Sequence, residues 1–347
     1  MENTKRNKPT IYDVAKLANT SIATVSRVLG DADYPVTMEL KKRVLQAAEE
    51  LYYVPNLLGR QLKTNKSMDI AVIIPNISNP FYPELVLGIE DAARMEGYHV
   101  LLCSSHRDLH AEQQYITSML QKEVKGVIIA SQIGNIDFIQ KIQGMGLNIV
   151  AIEQNLNECC NSIYFDYFKA GFMAAEHLIN LRHKDIGFIG SPLTRENRIS
   201  LYQGFVRCLK DHNLLFREEF CYLATVEKES HNGIYEFDNG RNMARQMIGS
   251  KNRPTAVFCN NDITAIGVMH ELLNRGMGIP GDVSVVGFDN IFASQITHPP
   301  LTTIDQSTYE MGKIAAQVLI GGMKKQQTYV SHILKPKLVE RASTREL

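Results

Sequence analysis

The chain has 347 residues, 44% of them apolar, enough for at least two compact domains with cores of their own. No stretch approaches the roughly 18 unbroken apolar residues of a membrane span, and the polar, basic start MENTKRNKPTIYDV lacks the apolar run of a secretory signal, so a cytoplasmic protein is expected. Net charge is zero, which argues against nucleic acid until its distribution is read: residues 1–66 hold eleven Lys and Arg against seven Asp and Glu, a surplus that the remainder offsets. A small basic domain on a mildly acidic body suits a protein of which one end touches phosphates.

From Thr10 to Tyr53 the apolar spacing is helical in three short pieces: Val14, Leu17 and Ala18; Val25, Val28 and Leu29; Leu40, Val44, Ala47, Ala48 and Leu51. Thr10 with Asp13 reads as a capping-box variant, Ser21 as the cap of the second helix and Thr37 as that of the third. Residues 55–66, PNLLGRQLKTNK, read as a connector, with Pro55 stopping what precedes it and Gly59 weakening helical propensity.

After Ser67 short apolar runs alternate with amphipathic stretches. The runs are DIAVII (69–74), YHVLLC (98–103), GVIIA (126–130), NIVAI (148–152), DIGFIG (185–190), TAVFC (255–259) and VSVVGF (283–288). Helical stretches include Tyr82–Glu96, Ala111–Lys122 and Tyr167–Leu181. This alternation predicts parallel sheets with right-handed crossovers, and a region this long predicts two α/β lobes. The six cysteines form no CxxC pair and read as reduced thiols, mostly buried.

The segment IYDVAKLANTSIATVSRVL meets the geometric demands of a helix-turn-helix. Ala15 is small enough for two helices to cross, Asn19 tolerates a positive φ in the turn, and Val25 locks the second helix onto the first. That second helix would enter the major groove with Ile22, Ala23 and Arg27 facing base edges, while Ser21 and Thr24 reach phosphate oxygens. A trihelical run without a DNA role is the bland alternative, and the basic charge and polar face weigh against it.

At this point the sequence resembles the lactose-repressor/galactose-repressor family of bacterial transcription regulators. Ile11-Tyr12-Asp13-Val14-Ala15 and Thr24-Val25-Ser26-Arg27-Val28-Leu29 are similar to its headpiece signature, and Tyr53-Val54-Pro55-Asn56 with Gln61-Leu62-Lys63 to its hinge. Further motifs follow in the family's order: Asn79-Pro80-Phe81-Tyr82, Asn261-Asp262, Gly287-Phe288-Asp289-Asn290, Pro300-Leu301-Thr302-Thr303-Ile304 and Leu338-Val339-Glu340-Arg341. The resemblance implies a hinge that turns helical on operator DNA and pushes Leu62 into the minor groove, with Asn56 also at the DNA. It implies a homodimer on a pseudo-palindromic operator, with half-sites roughly one turn or 10 bp apart.

Ligands of open parallel sheets gather beyond the carboxyl ends of the strands. Asn79, Phe81, Glu153-Gln154, Arg195, Asn260-Asn261-Asp262 and Asp289-Asn290 all fall at such ends, and two facing lobes would join these edges across a cleft. The region resembles sugar-binding periplasmic proteins. On that resemblance Asp289 and Asn261 are the expected polar contacts to an effector, followed by Phe81 and Arg195, with Tyr235 as a further aromatic; Asp262 reads instead as the cap of its helix. Where many relatives carry an arginine three residues before Gly204-Phe205 this chain has Leu201, so Arg195 or Arg198 would have to compensate.

Gly276-Met277-Gly278-Ile279-Pro280-Gly281 satisfies GxGxxG as a string, but it follows a helix and precedes a strand, the reverse of a dinucleotide site. No metal-ligand spacing and no nucleophile motif stands out, so no cofactor, no metal and no enzyme activity are expected. A transport receptor would need a signal segment and no headpiece; a protein partner in place of a free metabolite remains an alternative signal for the sensing half. The expected organisation is a headpiece over 1–54, a hinge over 55–66 and a ligand-binding and dimerisation domain over 67–347. Its lobes are expected at about 67–166 with 305–330 and about 167–304 with 331–347.

Overall fold

A computed structural model describes residues 8–30, 35–54, 67–130, 136–154, 159–226, 235–324 and 329–347. The chain divides into two compact units, Met1–Ser67 and Met68–Leu347.

The first unit holds α1 (Ile11–Leu17), α2 (Ile22–Val28) and α3 (Met38–Glu50). Asp13 fastens the first turn of α1, its carboxylate accepting from the Thr10 hydroxyl at 2.7 Å and the Thr10 backbone N–H at 2.8 Å. Those bonds hold the Asp13 carboxyl below its usual range. Asn19 makes the turn at φ +48°, and Ser21 caps α2 by accepting from the Thr24 N–H at 3.1 Å. Thr37 stands at the start of α3 in extended backbone, but contrary to expectation its side chain makes no capping bond. Val14, Ala15, Ala18, Val25, Val44, Ala47 and Ala48 form the core, so the small residues at the helix crossing are what let so short a domain close.

The second unit is built on two six-stranded sheets. The first contains β1 (Asp69–Ile74), β2 (His99–Ser104), β3 (Gly126–Ile129), β4 (Asn148–Ile152), β5 (Asn161–Phe165) and β11 (Ser331–Leu334), in the order β11-β5-β4-β3-β1-β2, all parallel. The second contains β6 (Ile186–Gly190), β7 (Cys221–Leu223), β8 (Ala256–Cys259), β9 (Ser284–Asp289), β10 (Thr302–Asp305) and β12 (Lys337–Val339), in the order β12-β10-β9-β8-β6-β7. Only β12 runs antiparallel there, against β10. Central strands are covered on both faces, which is why Ile70 through Ile74 have no exposed surface and read as one continuous apolar run.

The helices between strands are α4 (Phe81–Met95), α5 (Leu109–Gln121), α6 (Ile136–Gly144), α7 (Tyr167–Asn180), α8 (Glu196–Asp211), α9 (Tyr235–Gly249), α10 (Asp262–Asn274), the short α11 (Phe292–Ile296) and α12 (Thr308–Lys324). The chain passes between lobes after β5, after β10 and after β11. The third passage corrects the expected boundary: residues 331–334 pair with β5 in the first sheet, and the chain reaches the second only at Lys337.

Three helix pairs approach so closely that only glycine fits. A Cβ on Gly88 would run into the Tyr309 carbonyl and one on Gly312 into that of Leu85, joining α4 to α12. Gly171 and Gly204 play the same reciprocal roles against the carbonyls of Leu201 and Phe168, joining α7 to α8, and Gly240 and Gly267 join α9 to α10. The α7–α8 seam fixes the face of α8 that carries Arg198 and Leu201.

Candidate functional site

In the first unit the exposed face of α2 carries Ile22, Ala23, Ser26 and Arg27, in two i, i+4 pairs that share one side of the helix. Ser21 is exposed at its start, with Thr24 half-buried behind it. The Ser21 and Thr24 hydroxyls lie 2.9 Å apart; one hydrogen serves that bond and the other stays available to an outside acceptor. Backbone N–H groups at the start of α2 add partial positive charge there. Ser26 was missed by the sequence reading, although its spacing from Ile22 marks it. Asn56 and Leu62, expected at the DNA through the hinge, lie outside the described residues.

In the second unit the carboxyl ends of both sheets border one cleft. It brings together four of the five expected effector residues, Phe81, Arg195, Asn261 and Asp289. Asn79 accepts from the Phe81 N–H at 3.1 Å, which holds the start of α4 against the cleft. Asn261 also acts within its own helix, where its side chain accepts from the Thr264 N–H at 2.7 Å and so caps α10. The cap expected of Asp262 is thus made by its neighbour. Asp262 has no exposed surface, and its carboxylate accepts from the Thr303 hydroxyl at 2.5 Å and the Ile291 N–H at 2.9 Å.

Tyr235 lies apart from the other four expected residues. It borders a different cavity with Thr225, Val226 and Met243, and its hydroxyl donates to the Val226 carbonyl at 3.1 Å. Glu236, one residue on, faces the cleft instead. Successive helical residues point about 100° apart, so one position decides which cavity a side chain enters.

Of the other cleft residues, Arg107, Tyr167, Glu236 and Gln306 escaped the sequence reading, whereas Glu153, Arg198 and Leu201 were expected there. Glu236 (3% exposed) and Arg107 come from opposite lobes and form an ion pair at 3.1 Å. Glu153, at the end of β4, accepts from the Tyr167 hydroxyl of α7 at 2.8 Å. Gln306, just past β10, donates through Nε2 to Asp289 Oδ1 at 2.6 Å. Arg198 and Leu201 also line the cleft, with Arg198 donating to the Pro192 carbonyl at 3.3 Å. The sequence signal for Gln306 was available, since it stands at a strand end beside that of Asp289.

The cleft holds strained backbone. Arg107, Glu153 and Asp289 have φ of +64°, +63° and +125°, a region that L side chains avoid. Such geometry persists where surrounding structure enforces it, and it collects at binding sites.

Burial pushes the Asp289 carboxyl well above its usual range, and the neighbouring Asp262 carboxylate pushes it further, against the pull of Gln306. Asp262 is raised by burial too, but two hydrogen-bond donors and the Arg341 guanidinium pull it back. Of the two carboxyls Asp289 is thus held the further above its usual range, by burial and by the neighbouring Asp262. Gln306 Oε1 and Asn260 Oδ1 are buried acceptors without a hydrogen-bond partner among the described residues. Both residues line the cleft, where a donor from a ligand or an ordered water would satisfy them. Phe81, Tyr82 and Phe288 supply apolar walls. Burial also lifts the Glu153 carboxyl, more than Tyr167 and Arg195 draw it down.

Among the described residues no group of His, Cys, Asp or Glu could hold a metal ion, and no helix is long and apolar enough to cross a membrane. The six cysteines are unpaired and four are buried.

Residues 10–56 match the model of bacterial regulatory proteins of the lacI family, and residues 175–344 that of the periplasmic binding protein-like domain. The transcriptional regulator RegA of Clostridium saccharobutylicum is 36% identical over 338 residues, 96% of this chain and 98% of its own. Catabolite control protein A of Priestia megaterium is 34% identical over 342 residues, covering 97% and 99%. The lac repressor dimer bound to operator and the anti-inducer ONPF is similar with a TM-score of 0.84 at 25% identity, covering 98% of this chain and all of that one. A lacI-family regulator from Enterococcus faecium with bound ribose gives 0.70 at 26% identity over 80% and 99%.

Proposed function

The chain belongs to the lacI family of bacterial regulatory proteins, and from that premise we propose that it is a repressor whose operator affinity is set by a carbohydrate held in the cleft. It is a DNA-binding transcription regulator with a periplasmic-binding-protein-like domain. The observation that carries the effector reading is the donor and acceptor set at one end of the cleft. Asp289, whose carboxyl is held well above its usual range, lines the cleft with Gln306 and Asn260, whose Oε1 and Oδ1 find no partner among the described residues, and with aromatic walls. Hydroxyls both donate and accept, and the faces of a sugar ring are apolar, so a polyol ring satisfies each group at once. The ribose held by the Enterococcus relative supports the same chemistry.

The protein works in the cytoplasm as a homodimer that sets two α2 helices on a pseudo-palindromic operator, a reading supported by its similarity to the lac repressor dimer bound to operator. Ser21 and Thr24 meet phosphates, Ile22 and Ala23 make apolar contacts, Arg27 reads a base, and Asn56 and Leu62 act from the hinge. Leu201 offers the cleft no polar group, so Arg195 and Arg198 supply the cationic donors. Titration of the full-length protein with a carbohydrate panel tests the reading. Saturable binding by at least one sugar, with a change in operator affinity, is expected. Response to a nucleobase or an amino acid and to no sugar would overturn it.

A further inference from the structure

Residues 340–347 form a strap across lobe 2, and two buried histidines hold it. Ser343 has no exposed surface: its carbonyl accepts from the Val285 N–H at 2.8 Å, and its hydroxyl donates to the Val285 carbonyl at 2.6 Å. His177 of α7 (7% exposed) meets the Thr344 hydroxyl through Nε2 at 3.1 Å. His183, in the turn between α7 and β6, is 2% exposed. Its Nε2 lies 3.1 Å from both the Arg345 carbonyl and the Ser284 hydroxyl, and its Nδ1 lies 2.8 Å from the Thr255 hydroxyl. A carbonyl only accepts, so the neutral ring holds its hydrogen on Nε2 and takes one from Thr255 at Nδ1. The Thr255 hydroxyl has a second acceptor in the Asp185 carbonyl at 3.2 Å, so Nδ1 can take up a proton once that hydroxyl turns.

The charged side chains about the two rings are Glu340, Arg345 and Glu346 of the strap and Arg182, Lys184 and Asp185 beside His183. Thr255, Ser284 and Thr302, which the sheet contributes there, are uncharged. Glu346 is paired with Arg182 at 2.8 Å and Asp185 with Arg217 at 3.3 Å. Glu340 lies 4.0 Å from His177 but is 70% exposed, a weak counter-charge. Arg345 and the His177 ring oppose a charge on His183, and burial holds both rings below the ordinary histidine range. The strap is anchored at its start by Arg341, which donates to Asn290 Oδ1 and to the Leu301 carbonyl, each at 2.6 Å. Asn290 adjoins Asp289 of the cleft.

We propose that the strap is a proton-operated clasp: neutral His177 and His183 hold it on lobe 2, and their protonation loosens it and, through Arg341, the Asn290 turn beside the cleft. An opened strap returns both rings to water and so binds protons more readily than the closed one. The contribution of the clasp is fully present above the ordinary histidine value of about 6.5 and is lost as pH falls through the lowered values.

The test is hydrogen exchange of the full-length protein, read by mass spectrometry at about pH 7.5 and about pH 5.5 and corrected for the intrinsic exchange rate. Peptides over 340–347 are expected to lose protection about tenfold or more at the lower pH, and those over 290–294 to follow, while Ala256–Cys259 of β8 stays protected. A variant carrying both His177→Asn and His183→Asn should respond by about twofold or less. In the wild type alone, strap protection that does not change with pH, or changes only as β8 does, overturns the proposal. An undiminished response in the double variant overturns it too. A strap that opens while 290–294 stays unchanged overturns the link to the cleft.

Discussion

The Arg107 guanidinium crosses the cleft to the Glu236 carboxylate, 3.1 Å away, and so ties the β2–α5 turn of one lobe to the first turn of α9 in the other. Arg107 sits at φ +64° to make that reach, and both side chains are largely buried. A buried pair broken on one side leaves an uncompensated charge. Arg107→Ala is therefore expected to lower stability by about 1–3 kcal/mol, more than Arg107→Ala adds to Glu236→Ala in the double variant. Urea unfolding of the four proteins in the cycle measures this, and additive losses would remove the pair from the account.

Asp289 makes the protein's stability depend on pH in a definite direction. Burial and Asp262 raise its carboxyl in the folded state, so between the ordinary aspartate value of about 3.9 and the raised one the folded protein binds more protons than the unfolded. Its contribution is present at low pH and lost as pH rises through that window. Asp289→Asn, which keeps the shape without the ionisation, should gain on the wild type steadily above about pH 4. A wild-type minus variant difference that stays flat with pH would show that Asp289 is ordinary.

The α7–α8 seam predicts a local effect from one methyl group. Gly204→Ala drives a Cβ into the Phe168 carbonyl and should cost about 1–3 kcal/mol, shifting the face of α8 that carries Arg198 and Leu201. Gly249→Ala, where a Cβ meets nothing within 4 Å, should be neutral or stabilise by up to about 1 kcal/mol. Thermal melts of the two variants separate a packing requirement from a general intolerance of alanine.

On the DNA side, Arg27→Ala should cost about 1–3 kcal/mol of operator affinity and relax preference at one base pair. Ser21→Ala removes the cap of α2 and should cost about 1 kcal/mol of stability. Competition binding against single-base operator variants distinguishes the first effect from a loss that is uniform across sequences, which would assign Arg27 to phosphate alone.

What the sequence revealed follows how far each feature is local. β1, β3, β4, β6, β8 and β9 were visible as apolar runs because central parallel strands are buried on both faces. β11 and β12 are short edge strands, SHIL and KLV, only partly buried, and two residues between them carry the chain from one sheet to the other. No local pattern marks such a passage. Phe81, Asn261 and Asp289 were legible as residues at strand ends, where position follows from the parallel sheet itself. Only the packing of α9 decides that Glu236, and not its neighbour Tyr235, lines this cleft. Arg107 with Glu236 and Asp289 with Gln306 are pairings across the fold that no spacing encodes.

We propose that the cleft containing Asp289 controls DNA binding. Its most direct test is fluorescence anisotropy on an operator selected from random duplexes, with the full-length wild type and Asp289→Ala, each with and without the tightest-binding carbohydrate. The wild type should change operator affinity by about fivefold or more on adding the sugar, whereas Asp289→Ala should bind operator normally and stay unmoved. An Asp289→Ala protein that responds as the wild type does would contradict the account.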